Sequence, residues 1–241
     1  MEFISEDLKN YLLKYCDPED ELLKTIDRET NLKVSMPRML SGHYQGRVLS
    51  MFSNMIRPAR ILEVGTFTGY ATLCLAEGLT ENGLIHTIDV NAELEDMVRA
   101  NFGKSPYKSK IVYHLGDAIR IIPEIEEVFD IVFIDADKKN NGTYYAMVVD
   151  KIRSGGIIIV DNVLWSGKVL EETCMTLPIT QRHENKVMQA SLGIKNKLSS
   201  NEKIDQNTTL IAKFNEMVTQ DQRVEKLILP IRDGLFIIRK K

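Results

Sequence analysis

The sequence has little cysteine and no long apolar run. Its 241 residues include three cysteines, Cys16, Cys74 and Cys174, which are too few, too scattered and odd in number for a disulfide framework or a C-x-x-C metal site. No stretch approaches the about 18 apolar residues of a transmembrane helix, and the N-terminal region carries no apolar secretory segment. We therefore expect reduced thiols in a cytoplasmic protein that is neither exported nor membrane-spanning.

The chain also lacks an excess of positive charge. Its net charge of -3 and pI of about 5.9 give no electrostatic reason to expect a nucleic-acid partner, although a local basic patch stays open. Small-molecule ligands are the expectation. With 44% hydrophobic residues and 14 glycines, the chain can bury a full core, and we expect residues 1–241 to form a single α/β domain.

The rest of the chain is organised around one glycine-containing stretch, residues 60–70, which reads R-I-L-E-V-G-T-F-T-G-Y. An apolar run, then two glycines four residues apart, then helical periodicity predict a buried strand, a tight turn and a helix. Such a turn brings the backbone close to a ligand, next to the unpaired N–H groups of a helix start. We expect the ligand to lie over Gly65 to Gly69, although the pattern can also be a plain strand-helix turn.

The spacing of this turn excludes two common phosphate-binding loops. A P-loop carries Lys and then Ser or Thr after its last glycine, whereas Tyr70 and Ala71 follow Gly69. The dinucleotide fingerprint has a second glycine two residues after the first, and Phe67 occupies that position. An acid two residues before a G-x-x-x-G turn resembles instead the first motif of S-adenosylmethionine-dependent methyltransferases.

Helical patterns precede this stretch. Apolar spacing predicts a helix over residues 5–15, Asp17 followed by Pro18 predicts the start of a second, and residues 36–57 form a third with a polar interruption at 41–46. The apolar stripes are expected to pack on the domain or on a subunit partner. The interruption is a candidate edge of the site, or else His43 and Tyr44 are ordinary surface residues.

Acidic residues follow the next two predicted strands. The strand 83–89 ends in Asp89, 24 residues beyond Gly65, where a carboxylate can accept hydrogen bonds from ribose hydroxyls. After the strand 110–115, Asp117 could meet the amino group of an adenine. Both acids could instead be helix N-caps. His86 and His114 have no partner at metal-ligand spacing and are read as ordinary strand residues.

The remaining strands complete a sheet. Strands over 129–134 and 155–160 alternate with helices, which predicts a doubly wound parallel sheet whose ligands lie at the carboxyl ends of the strands. Segments 224–230 and 235–239 are too close together for a crossover helix and must form an antiparallel hairpin at the sheet edge. A methyltransferase fold requires that ending, whereas a dinucleotide dehydrogenase would add another parallel unit.

Three oxygen donors are expected to meet at this end of the sheet: Asp135, Asp161 and Asn162. A set without Cys or His suits Mg²⁺, with Mn²⁺ or Ca²⁺ as alternatives, rather than zinc. The same residues could be turn and capping residues. Lys138 lies three residues past Asp135 and is a candidate base, since a nearby divalent cation disfavours an ammonium group; otherwise it is a solvated lysine.

The motifs together resemble one family. The chain contains, in order, E-V-G-T-F-T-G-Y, T-I-D, G-D-A, F-I-D-A-D-K, G-G-I-I-I-V-D-N-V-L-W-S-G-K-V and R-V-E-K-L-I-L-P-I-R-D-G-L. This order resembles the cation-dependent O-methyltransferases of the caffeoyl-CoA and catechol type, over residues 36–169 and 207–240. The resemblance implies a seven-stranded Rossmann-like methyltransferase sheet with an antiparallel C-terminal hairpin strand and N-terminal helices over residues 1–57. It also implies a homodimer.

The resemblance assigns roles residue by residue. It implies metal ligation by Asp135, Asp161 and Asn162, with Lys138 as the base and Asp135 as its catalytic companion. Acceptor contacts are implied at Ser41 and Trp165, although without the family Trp165 could be a packing residue. The implied contacts to S-adenosylmethionine are Glu63, Gly65, Thr68, Gly69, Tyr70, Asp89, Asp117, Ala118, Asp135 and Tyr144.

Three departures from the family pattern stand out. The usual T-S-x-D-E-G-Q stretch is S-G-H-Y-Q-G-R here, so Ser41 replaces a Thr and the acidic pair is absent. Asn141 stands where the family commonly has Tyr, which leaves Tyr144 or Tyr145 to supply an aromatic contact. The third departure is an insertion at 170–206, which we expect to be a lid over the acceptor pocket, with a disordered insertion as the alternative.

The expected function is transfer of a methyl group from S-adenosylmethionine to one of two neighbouring oxygens of a catechol-like diol, with a divalent metal holding both oxygens. An alternative keeps the cofactor but modifies a hydroxylated nucleoside in RNA. A second alternative is a cofactor-binding or scaffold protein without catalysis. The D-A-D-K and D-N motifs favour the enzyme.

Overall fold

The computed structural model describes residues 4–170 and 205–241. The helices are α1 Glu6–Lys14, α2 Glu21–Lys33, α3 Gly42–Ile56, α4 Tyr70–Ala76, α5 Glu95–Lys104, α6 Ala118–Glu124, α7 Asn141–Val148 and α8 Gln206–Gln220. The strands are β1 Arg60–Val64, β2 Leu84–Asp89, β3 Ile111–Leu115, β4 Phe129–Ile134, β5 Ile152–Asp161, β6 Val224–Leu229 and β7 Leu235–Lys240. Short 3₁₀ turns lie at Pro37–Met39, Ala92–Leu94, Lys108–Lys110, Lys138–Asn140 and Trp165–Gly167.

The strands form one seven-stranded sheet in the order β3-β2-β1-β4-β5-β7-β6. Strands β1 to β5 are mutually parallel, and β7 runs antiparallel to both of its neighbours, β5 and β6. The predicted doubly wound sheet with an antiparallel hairpin is thus confirmed. Within the hairpin the second strand, β7, lies inside the sheet next to β5, and β6 forms the edge.

The central strands are mostly apolar because both of their faces are covered. In β1, Leu62 and Val64 pack on the core formed with α6, α7 and α8, whereas Ile61 packs on the core formed with α2 to α5. Helices on both faces are the reason why parallel strands lack the alternation of half-exposed ones. The same continuous runs made these strands recognisable in the sequence.

The start of α2 corrects one prediction. Asp20, not Asp17, is the N-cap, and its Oδ1 accepts the backbone N–H of Leu22 at 2.8 Å. Both acids are suitable caps by type, and only Asp20 directly precedes the helical turn. Pro18 lies in the segment before the helix.

The predicted polar interruption at 41–46 is also wrong, because α3 begins at Gly42 and runs through it. Within this stretch His43 and Tyr44 are half-buried, and Gln45 is completely inaccessible to solvent. A side chain at Gly46 would place its Cβ 2.8 Å from Cys74 Sγ. This turn of α3 therefore packs tightly on α4. Its polar residue Gln45 is present because it hydrogen-bonds to another buried polar group, Asp161.

Two strand histidines interact although no sequence pattern pairs them. His86 on β2 and His114 on β3 stack with their ring planes 15° apart, and Nδ1 of the first lies 3.0 Å from Nε2 of the second. Burial lowers the pKa of both imidazoles. Elsewhere among the described residues, Cys16 and Cys74 are free thiols, and none of the helices there is long and apolar enough to cross a membrane.

Candidate active site

A cavity of about 1260 Å³ opens at the carboxyl ends of the parallel strands. Its wall includes the turns that follow β1, β2, β3, β4 and β5, the segment 33–41 before α3, and the hairpin turn around Arg232. Open α/β sheets bind their ligands at this end. The position therefore agrees with the sequence expectation.

The turn after β1 requires glycine at both ends. Gly65 has φ +104°, and a Cβ there would lie 2.2 Å from the backbone oxygen of Asp135. Gly69 has φ +86°, and a Cβ there would lie 2.5 Å from the ring of Phe102. Both conformations are unfavourable for residues with a side chain, and both sites lack space for one. The two glycines let the turn press against the end of β4 and against α5.

Residues distant in sequence hold this turn in place. The hydroxyl of Thr30 on α2 donates to the hydroxyl of Thr68 at 3.0 Å, and Asn101 on α5 donates from Nδ2 to the backbone oxygen of Thr68 at 3.0 Å. The Tyr70 hydroxyl donates to the Glu19 carboxylate. The N-terminal helical segment is thus part of the support of the glycine turn. No local pattern in the sequence pointed to these contacts.

Asp89 and Asp117 both line the cavity. Asp89 accepts the backbone N–H of Phe67 at 2.7 Å and that of Asn91 at 2.9 Å, so it links the glycine turn to the end of β2. Asp117 caps α6 through the N–H of Ile119 at 2.9 Å. The capping alternative is therefore correct for Asp117. Each carboxylate oxygen has a second lone pair with which to accept from a ligand.

Glu63 lies beneath the turn rather than in the cavity wall. It is fully buried, and its Oε2 accepts from the hydroxyls of Thr72 and Thr87. Burial raises the pKa of this carboxyl to about 8, and the two hydroxyl donors oppose the rise. Gly69, like Glu63, is outside the wall formed by the described residues. Both residues shape the turn from below.

The three predicted oxygen donors line the other part of the cavity. Asp135 accepts from Lys138 Nζ at 3.0 Å. Asp161 is 2% exposed, and its Oδ1 accepts the backbone N–H of Asn162 at 2.6 Å. Asn162 has φ +61°, a left-handed conformation that Asn tolerates better than most residues. The sequence expectation that strands β4 and β5 bring these donors to one place agrees with this arrangement.

The electrostatics of this donor set suit a cation. Burial, followed by the charge of Asp135, raises the pKa of Asp161 well above its ordinary value, with Lys138 opposing the rise. Two carboxylates that disfavour each other's charge are stabilised by a cation placed between them. Among the described residues no three His, Cys, Asp or Glu side chains form a metal-binding group, so the set consists of two carboxylates and one carboxamide. Oxygen donors of this kind fit Mg²⁺.

The predicted acceptor contacts lie on the same side. Ser41 is 8% exposed and lines the cavity just before α3. Trp165 lines it from the 3₁₀ turn after β5, and its Nε1 donates to Asp205 Oδ2 at 2.9 Å. Tyr144 and Ala118 also belong to the wall, and the Tyr144 hydroxyl donates to Asp137 at 2.6 Å. The predicted lid at 170–206 falls almost entirely on residues outside those described.

Comparison with known proteins identifies the family. The sequence model of the O-methyltransferase family matches residues 14–241 of the chain. The chain belongs to the O-methyltransferase family. A caffeoyl-CoA O-methyltransferase of Stellaria longipes is 29% identical over 98% of this chain and 91% of its own length. One from Populus kitakamiensis is 30% identical, with 98% of this chain and 94% of the relative covered.

Solved structures agree with the fold of this O-methyltransferase. An O-methyltransferase from Bacillus cereus, in complex with SAH, superposes with a TM-score of 0.79 at 25% identity, covering 98% of this chain and 97% of the other. A methyltransferase from Podospora anserina superposes with a TM-score of 0.80 at 23% identity, covering 98% and 94%. The seven-stranded sheet with its antiparallel C-terminal strand is therefore a methyltransferase fold.

Two residues of this O-methyltransferase that the sequence analysis did not single out lie next to the candidate metal ligands: Gln45 contacts Asp161, and Arg232 contacts Gln45. Gln45 donates from Nε2 to Asp161 Oδ2 at 2.7 Å, and Arg232 reaches Gln45 Oε1 at 3.3 Å. Gln45 lies in the stretch that the sequence predicted to be a polar interruption of the helix, and it is 116 residues from Asp161. No local pattern in the sequence pointed to either contact.

Proposed function

We propose that this enzyme transfers the methyl group of S-adenosylmethionine to one of two neighbouring oxygens of a catechol-like diol, with a divalent cation held in the site. One observation carries the proposal. A single cavity holds the acid pair Asp89 and Asp117 on one side and the oxygen donors with Lys138 on the other. The relatives support it, because several are caffeoyl-CoA O-methyltransferases and the Bacillus cereus structure holds SAH.

The first side of the cavity fits the cofactor. When bound, S-adenosylmethionine supplies an electrophilic methyl group. Asp89 would accept from the ribose hydroxyls, and Asp117 from the adenine amino group, since both carboxylates keep free lone pairs at the wall. The Gly65 turn lets the backbone approach the amino-acid part, with Thr68, Tyr70, Ala118 and Tyr144 completing the wall. Glu63 and Gly69 contribute by supporting the turn.

The second side fits the metal and the acceptor. Asp135, Asp161 and Asn162 would hold Mg²⁺, with Mn²⁺ or Ca²⁺ as alternatives. When bound, the cation stabilises a deprotonated hydroxyl and orients the diol. Ser41 and Trp165 would form the wall around the acceptor ring.

The remaining chemistry is a proton transfer and an in-line displacement. The side chain of Lys138 is 12% exposed, and its Nζ lies 3.0 Å from Asp135 Oδ1. This amine would receive the proton of the reacting hydroxyl. The methyl-sulfur bond then breaks as the new carbon-oxygen bond forms. The residues of the cavity would accelerate methyl transfer by holding the reacting oxygen close to the methyl group, at about 3 to 3.5 Å.

The experiment that tests the function is a product analysis. A panel of vicinal diols is incubated with the enzyme, Mg²⁺ and cofactor carrying an isotopically labelled methyl group, and products are identified by mass spectrometry. We expect singly methylated diols that carry the label on one oxygen. Absence of labelled product from every diol, with intact cofactor binding in calorimetry, would reject the acceptor class.

A further inference from the structure

A buried glutamine connects α3 to the candidate metal ligands. Gln45 has no solvent-accessible surface, and its Nε2 donates to Asp161 Oδ2 at 2.7 Å. The other oxygen of Asp161 is occupied by the backbone N–H of Asn162 at 2.6 Å. The carboxylate is therefore held by one donor at each oxygen.

The orientation of the Gln45 amide is fixed from its other end. Arg232 Nη1 donates to Gln45 Oε1 at 3.3 Å, and the same guanidinium donates to the backbone oxygens of Leu40, at 2.7 Å, and Ser41, at 2.5 Å. Rotation of the amide by 180° would place its oxygen against the Asp161 carboxylate and its NH₂ against the guanidinium. Both contacts would be repulsive, so the amide has one favourable orientation.

The hairpin supplies Arg232 at a defined place. Leu235, the first residue of β7, pairs with Asp161 at the end of β5, and Arg232 lies in the turn just before it. Arg232 has φ +49°, an unfavourable conformation for a non-glycine residue. In this conformation its guanidinium donates to the backbone oxygens of Arg38 and Leu40 and to the side-chain oxygen of Gln45.

We propose that Gln45 is a positioning residue for the metal site, which acts through Asp161 and is itself oriented by Arg232. This inference rests on the proposed function, since it requires that Asp161 is a metal ligand. Partners that orient a ligating carboxylate set its direction and its basicity, and their loss costs about 10- to 100-fold in metal affinity. If Gln45 only provided a hydrogen bond to a buried carboxylate, its replacement would change the stability of the protein but not its affinity for the metal.

Metal binding to the full-length protein tests the inference without turnover. Mn²⁺ is titrated into the protein, and the free ion is counted by electron paramagnetic resonance. We expect Gln45→Met, which keeps the length of the side chain but has no donor, to bind Mn²⁺ about 10- to 100-fold more weakly. Gln220→Met is the matched control, because Gln220 is exposed on α8 and its side chain donates to Glu216 in the same helix. It is expected to bind Mn²⁺ like the unaltered protein.

The outcomes separate this inference from the proposed function. Equal Mn²⁺ affinity in Gln45→Met and in the unaltered protein would overturn the positioning role and leave the proposed function standing. No Mn²⁺ binding by the unaltered protein would overturn both. If Gln45→Met does not fold, Arg232→Ala carries the test: it releases the Gln45 amide, so weaker Mn²⁺ binding supports the inference and unchanged binding overturns it.

Discussion

At the level of single residues, Asp89 combines a structural role with the cofactor-binding role proposed for it. Its two oxygens accept backbone N–H groups from the glycine turn and from the start of the next helical segment, and it lines the cavity. Removal of the carboxylate therefore leaves a turn N–H unpaired and removes the acceptor for the ribose. Asp89→Ala should weaken S-adenosylmethionine binding by about 1 to 3 kcal/mol, measured by calorimetry. Unchanged affinity would mean that the ribose lies elsewhere.

Lys138 lines the cavity next to Asp135, one of the candidate metal ligands. Its amine bonds to Asp135 at 3.0 Å, while the neighbouring Lys139 is exposed. Lys138→Ala should lower kcat by about 10²- to 10⁴-fold, the range for loss of a general base, with cofactor affinity little changed. Lys139→Ala serves as the matched control for loss of one positive charge. Equal rates for both variants would show that Lys138 does not take the proton.

Glu63 makes stability depend on pH. Burial raises its pKa from 4.5 to about 8 in the folded state. The unfolded chain thus releases this proton first as pH rises. The free energy of unfolding that this raised pKa contributes is fully present below the pKa of Glu63 in the unfolded chain. It is lost as pH rises through the pKa of the folded state, by about 1.4 kcal/mol for each unit by which the two pKa values differ.

Glu63→Gln removes this titration but keeps the shape of the side chain. Compared with the unaltered protein, the variant should gain free energy of unfolding progressively between pH 5 and pH 8, the interval spanned by the shift from 4.5 to about 8. Urea unfolding at several pH values measures the difference. Parallel pH profiles for the two proteins would contradict a protonated Glu63 in the fold.

At the level of elements, the turn between β1 and α4 depends on close contact with the end of β4. Gly65→Ala would place a methyl group 2.2 Å from the backbone oxygen of Asp135, at a φ of +104°. We expect a loss of stability of about 1 to 3 kcal/mol or more and loss of cofactor binding, because the turn has to move. Thermal unfolding and calorimetry measure the two effects.

Gly103 provides the control for this substitution. It lies within α5, and apart from its chain neighbours and the backbone of its own helix no atom of the described residues is within 4 Å of the Cβ that alanine would add. Gly103→Ala should leave cofactor binding unchanged and stabilise the protein by up to about 1 kcal/mol, since alanine favours a helix. Similar losses in both variants would contradict the close approach at Gly65.

The elements also show what the sequence can predict. The strand β4 has its predicted bounds, because burial on both faces produces an apolar run over residues 131–134 that ends at Asp135. The turn glycines and the acids after each strand are local signals too. By contrast, the polar interruption predicted at 41–46 is wrong, because Gln45 is polar not for exposure to solvent but to donate to a carboxylate 116 residues away. The bond between Thr30 and Thr68 spans 38 residues and is equally invisible to a local pattern.

At the level of the whole molecule, the sheet order explains why one cavity holds both halves of the site. The chain winds from β1 outward to β3, then returns to place β4 on the other side of β1. Loops diverge at this reversal, which leaves a crevice between the ends of β1 and β4. The Asp135 N–H donates to the Val64 oxygen at 2.8 Å there, so the glycine turn and the donor set meet at the crevice.

The proposed methyl transfer requires two neighbouring oxygens and a divalent cation. Initial rates with catechol and with phenol, each measured in Mg²⁺ and in EDTA, test both requirements. We expect methylation of catechol in Mg²⁺, none in EDTA, restoration when Mg²⁺ is returned, and little reaction of phenol under any condition, since one oxygen cannot chelate the ion. Methylation of catechol in EDTA at the Mg²⁺ rate, or of phenol as fast as catechol, would contradict this expectation.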